Sequence, residues 1–320
     1  MNELAPPTPS SIRTLKDLSA AFLANETDRQ YSPCTLRNHR CTLNAFIGWL
    51  AAREVMTVDL VLKEHLELWI RHLNAHRTKR GQPLQPQSIN LHIVGVKQFL
   101  DYLAVRGFVP AHLLNALHCV KAPSLLPQSV LTHAQVRAFL LGLQTGTLEG
   151  CRNRAMLELL YSSGLRASEL LGMDILNVNL AHALATVTGK GKKQRVVPFG
   201  RTALRCLESY MKAIRPFMLR CSEEQALFLD RHGRRLGYHA LSQIIKACAR
   251  RSGLAGAHVT AHTFRRSCAT ELLRGGANMY HVKDLLGHES LTTLRHYARL
   301  TIVDLKKTHE RCHPREQDEV

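Results

Sequence analysis

His262-Thr-Phe-Arg265 opens a stretch that continues to Leu285-Leu-Gly-His288 and closes at Arg295-His-Tyr297. A histidine and an arginine three positions apart project from one helix face, and Thr260 or a neighbour is placed to cap that helix. The run from His281 to Leu286 reads as a second helix, stopped by Gly287, with His288 emerging at its end. Tyr297 follows nine positions later (297 − 288 = 9). Upstream stand Ser163-Gly-Leu-Arg166-Ala-Ser-Glu169-Leu170 and Thr188-Gly-Lys190-Gly-Lys-Lys193. Taken singly, such a His–Arg pair is a surface pair and a lone tyrosine a packed amphipathic residue. Their joint order argues for chemistry.

A tyrosine phenol that attacks phosphorus stores the ester's energy in a covalent bond, which another hydroxyl later displaces. The penta-coordinate transition state gathers charge on its non-bridging oxygens. Arginine suits that charge, because its planar fork donates two parallel hydrogen bonds and keeps its proton. Arg166 and Arg265, one from each side, make a fitting clamp. The departing hydroxyl needs a proton, and Lys190, Lys192 and Lys193 share one turn that could deliver it. Histidines take the phenol proton or hold a phosphate oxygen. Gly164 breaks the helix carrying Met156 to Tyr161, so Arg166 starts a new one, where backbone N–H groups favour an anion. Glu169 either holds Arg166 in its rotamer or forms a plain surface pair.

Around this stretch the chain reads as helical. Leu15, Leu18 and Phe22 form one core stripe. Ser32 as cap and Pro33 at the first helical position open a second helix, with Leu36, Leu43, Ile47 and Leu50 inward. A third is expected from about residue 58 to 76, and a fourth from Pro86 to Gly107. Pro123 and Pro127 interrupt the pattern, and Thr132 caps the next helix. One hairpin is expected, Leu184–Thr188 and Gln194–Pro198 about the glycine–lysine turn.

The 320 residues suffice for two domains. Lys+Arg 43 against Asp+Glu 25 gives a net charge of +18, which favours a polyanionic partner. The nine scattered cysteines suit reduced thiols in a cytoplasm. No signal core opens the sequence and no apolar run reaches about 18 residues, so a soluble, cytoplasmic protein without a membrane partner is expected.

In order and spacing these motifs resemble the tyrosine recombinase family of phage integrases and Xer-like recombinases, in motif detail over roughly residues 130 to 310. The resemblance implies a mainly α fold of two domains. A helical SAM-like core-binding domain at 12–118 would be followed by a linker at 119–130. A mostly helical catalytic domain with a small β-sheet, the DNA breaking-rejoining enzyme fold, would span 131–313. It implies that Arg166, Lys190, His262, Arg265 and His288 surround a scissile phosphate that Tyr297 attacks, Lys190 being the general acid. His296 stands beside Tyr297 as a competing proton-transfer group. The implied reaction is strand exchange through a 3'-phosphotyrosyl intermediate, and the wording around Tyr297 with the basic stretch from Lys306 to Pro314 points to integration or excision of a mobile element. The implied partner is double-stranded DNA, bound by a homo-tetramer on two sites, with no metal, ATP or other cofactor.

Two rivals share the chemistry or the fold: a type IB topoisomerase, and a non-catalytic DNA-binding regulator. The separate helical half and the Gly-Leu-Arg and Leu-Leu-Gly-His wording favour recombination over relaxation, and the filled reactive positions argue against an idle regulator. Metal binding has only His258 and His262, four apart as on a chelating helix, without a Cys-rich or His-Glu-x-x-His set.

Overall fold

A computed structural model of the chain describes residues 14–78, 81–121, 130–189, 193–254, 256 and 258–287. It divides into two compact units, Met1–Ser124 and Leu125–Val320. Of the expected linker, residues 122–129 lie outside the described residues.

The first unit packs α1 (Leu15–Asp28), α2 (Pro33–Ala51), α3 (Lys63–Ala75) and α4 (Pro86–Val105) around one apolar core. The Ser32 hydroxyl accepts the Thr35 N–H at 3.1 Å with Pro33 in the first turn, as the sequence implies. Phe46 meets Trp69 edge-on at 5.4 Å, and Phe22 meets Phe99 at 5.6 Å. These rings pack among the leucine, isoleucine and valine side chains that make up the rest of the core. Inside it, His39 of α2 hydrogen-bonds the Glu26 carboxylate of α1 at 2.8 Å, both side chains nearly inaccessible.

The expected helix from residue 58 is two pieces instead. A 3-10 turn, Val58–Leu60, precedes α3, and Leu62 between them is extended. Val58 and Val61, three apart, both reach the core, which suits a three-residue turn better than an α-turn. The His65 ring then accepts the Leu62 N–H at 3.1 Å and starts α3.

The second unit begins with α5 (His133–Leu141), capped by Thr132 and closed by Gln135 in a reciprocal box. α6 (Leu148–Ser163) runs through the core, with Ala155, Met156, Leu157, Leu159 and Leu160 all buried. It stops at Gly164, whose φ of +61° is the left-handed cap that glycine adopts without strain. α7 (Ala167–Leu171) follows, then a sheet of β1 (Val178–Asn179), β2 (Leu184–Thr188) and β3 (Gln194–Pro198). Its order is β1-β2-β3, antiparallel, with Leu184 opposite Pro198 and Thr188 opposite Gln194. The hairpin is the expected one; β1, two residues long, has no alternation from which to read it.

α8 (Arg201–Ser209) passes through a π-turn, Tyr210–Ile214, into α9 (Arg215–Met218). Pro216 lies in that passage and has no N–H for a regular ladder. α10 (Tyr238–Arg251), α11 (Ala261–Arg274) and α12 (Met279–Leu286) complete the described unit. Phe264 of α11 packs edge-on against Phe139 of α5 at 5.1 Å and anchors α11 in the core. Among the described residues the architecture is mainly helical with one small sheet. None of their helices is long and apolar enough to cross a membrane, and the described cysteines are unbridged.

Candidate active site

The expected site residues divide into two sets. Arg166, His262 and Arg265 are described and converge; Lys190, His288 and Tyr297 lie outside the described residues. The convergence is built on Glu169. Its carboxylate is 1% exposed and accepts the Arg166 N–H at 2.8 Å and Arg166 Nη1 at 2.7 Å. Arg195 of β3 donates to both of its oxygens, at 2.7 and 2.9 Å, and Arg265 Nη1 stands 3.9 Å away. One buried acid thus gathers three guanidinium groups.

The end of α12 supplies the remaining acceptors. An α-helix leaves its last carbonyls without internal partners, at the negative end of its dipole. Here Leu285 O accepts from Arg195 Nε at 3.0 Å, Leu286 O from Arg265 Nη2, and Gly287 O from Arg166 Nη2 at 2.9 Å. Gly164 O, at the stop of α6, accepts from Arg265 Nη1 at 2.8 Å. Two left-handed glycines, Gly164 and Gly287, expose these carbonyls. A Cβ on Gly164 would stand 2.6 Å from the buried Leu286 Cδ2, so a side chain there would crowd the meeting of the two helix ends.

Electrostatics follow this geometry. Burial alone would raise the Glu169 pKa, but hydrogen bonds from the Arg195 side chain and from the backbone and side chain of Arg166 outweigh it and hold it at about 2. His262 follows the cap residue Thr260, whose hydroxyl accepts the Thr263 N–H at 3.3 Å. The residue is exposed, yet partial shielding of its ring, followed by the charges of Arg265, Arg266 and Arg166, lowers its pKa below 6.5. It therefore carries a neutral ring at pH 7, able to accept a proton or a hydrogen bond.

Three expectations need correction or completion. At the helix start the Arg166 N–H is already taken by Glu169, so that donor is not free for an anion. Nor do His258 and His262 share a helix turn, since α11 begins at Ala261. Glu169 is a buried anchor and no surface partner. Arg195 was not anticipated, although alternation along β3 places it on the same face as buried Val197. An arginine on the inward face of a strand was the available signal.

A family model of the phage integrase family matches residues 129–302, and one of the phage integrase N-terminal SAM-like domain matches residues 22–107. The chain belongs to the phage integrase family, the tyrosine recombinases, enzymes of DNA strand exchange. Tyrosine recombinase XerC of Haemophilus influenzae is 32% identical over 288 residues, 90% of this chain and 94% of that protein. Tyrosine recombinase XerC of Myxococcus xanthus is 32% identical over 306 residues, 94% of this chain and 99% of the relative. Among solved structures, the Tn1549 transposon integrase in complex with transposon right end DNA superposes with a TM-score of 0.71 at 17% identity, over 94% of this chain and 99% of the other. XerH bound to difH substrate gives 0.68 at 16% identity, over 93% and 84%. These two likenesses speak for the fold alone.

Proposed function

We propose that this chain is a site-specific recombinase of double-stranded DNA. In this reading the Tyr297 hydroxyl attacks the scissile phosphorus, a 3'-phosphotyrosyl bond forms, and the 5'-oxygen leaves with a proton from Lys190. Attack by a 5'-hydroxyl of the partner strand reverses the step and returns the proton, so no external energy source is needed. Arg166 and Arg265 neutralise the non-bridging oxygens, and His262 and His288 bond to them or take the phenol proton. Recombination joins two sites, each with two such cuts, which calls for four protomers. The observation that carries the reading is the convergence of Arg166 and Arg265, from two separate segments, on one buried carboxylate, with His262 within electrostatic reach of both arginines.

The test is a nicked duplex bearing the recognition site, from which the cut product diffuses away. Wild-type protein should accumulate a covalent adduct, and Tyr297→Phe should bind the same DNA without forming one. An undiminished adduct in Tyr297→Phe would remove that tyrosine from its role.

For the biological reaction, integration or excision of a mobile element is the reading drawn from the wording around Tyr297 and the basic stretch Lys306 to Pro314. The relatives named XerC support a second, resolution of DNA dimers at a repeated site. Two plasmid assays separate them. An integrase joins two circles, whereas a resolving enzyme deletes between repeats on one circle and fuses separate circles poorly.

A further inference from the structure

We propose that Arg195 is a positioning residue for the arginine clamp, holding Arg166 in place through both of its anchors. The proposal rests on the clamp reading of Arg166 given above. Arg166 is fixed by two acceptors, the Glu169 carboxylate and the Gly287 carbonyl. Arg195 holds the first directly and packs beside the second at the end of α12. Its two terminal nitrogens engage both Glu169 oxygens, and Glu169 Oε1 is the atom it shares with Arg166 Nη1. Its Nε bonds the carbonyl of Leu285, two residues before Gly287, and its Cζ lies 3.0 Å from where a Gly287 Cβ would stand.

The two arginines differ in what remains available to a ligand. The Arg166 side chain is 38% exposed and that of Arg195 17%, so Arg166 faces outward while Arg195 backs it. Strand pairing makes the backing rigid: Arg195 sits opposite Val187 in the β2–β3 ladder. Lysine cannot substitute, because a point charge cannot grip both carboxylate oxygens and the Leu285 carbonyl from one planar fork. Misplacing a catalytic cation by a fraction of an ångström forfeits much of its effect.

The experiment compares single-turnover cleavage of a phosphate and of a methylphosphonate at the scissile position. The methyl group removes the non-bridging charge that the clamp serves. Arg195→Lys and Arg195→Gln should each lose about 100-fold on phosphate, the scale of a removed oxyanion donor, and less than about tenfold on methylphosphonate, relative to wild type on the same substrate. Arg166→Gln is the control and should show the same rescue. Equal losses on both substrates, or no loss on phosphate, would overturn the role of Arg195. Should Arg166→Gln also fail to be rescued, the clamp reading itself falls. Arg195→Lys keeps the charge, so it carries the test if the glutamine variant does not fold.

Discussion

Glu169→Gln removes one negative charge from beneath three guanidinium groups and changes almost nothing in volume. The carboxylate pKa of about 2, against an ordinary 4.5, converts to about 3 kcal/mol of preference for the ionised, folded form. Breaking a buried pair from one side costs about 3–5 kcal/mol, so the two routes agree. Because the folded pKa is depressed, this stabilisation is present above pH 4.5 and is lost as the pH falls toward 2. The assay is urea unfolding at a series of pH values. Trp49 and Trp69 are the chain's two tryptophans and both sit in the first unit, so their fluorescence follows that unit. Circular dichroism follows both units. The variant should weaken the transition seen by dichroism by about 3 kcal/mol at pH 7 and leave the tryptophan transition in place. Its deficit should shrink as the pH drops below 4.5. A loss under about 1 kcal/mol, the worth of an exposed pair, would refute Glu169 as the anchor.

Gly164→Ala should destabilise the same unit by roughly 1–3 kcal/mol, through its φ of +61° and the 2.6 Å approach to Leu286; a neutral result in thermal melts would contradict that packing. For His262 the lowered pKa predicts a cleavage rate that is flat through pH 7 and falls only below 6.5, and His262→Gln should erase that acid limb. Cys268, buried and with its thiol pushed up to about 12 by that burial, should resist maleimide in the folded protein, while exposed Cys34, Cys41, Cys119 and Cys221 react; mass spectrometry of the labelled protein decides this.

The parts of the site legible in the sequence are those that local chemistry marks. Glycine at positions 164 and 287 announces helix stops, and His262 and Arg265 share a helical spacing that survives folding. Glu169 was ambiguous because an i,i+3 pair looks alike on a surface and in a core; only burial decides, and burial is a tertiary property. Arg195 was hidden for a similar reason. It follows Lys192, Lys193 and Gln194, and in a basic run one more cation looks solvated. Net charge misleads in the same way: Arg152 and Arg215 are buried and spend their donors on the carbonyls of Leu229 and Ala226. They brace the fold while adding to the surplus that suggests a polyanion. The break at residues 58–62 also escaped, since the demand for both Val58 and Val61 in the core arises only when α2 and α4 are present.

The last three carbonyls around the end of α12 go to three different arginines. Neutral oxygens of this kind are undemanding anchors. They keep the cations aligned, yet each is a weaker acceptor than an anionic oxygen. Under the proposed function, an arriving diester would meet guanidinium groups already oriented, with Arg166 facing outward while its anchors stay in place. Had every position been filled by a carboxylate, the cluster would hold itself shut.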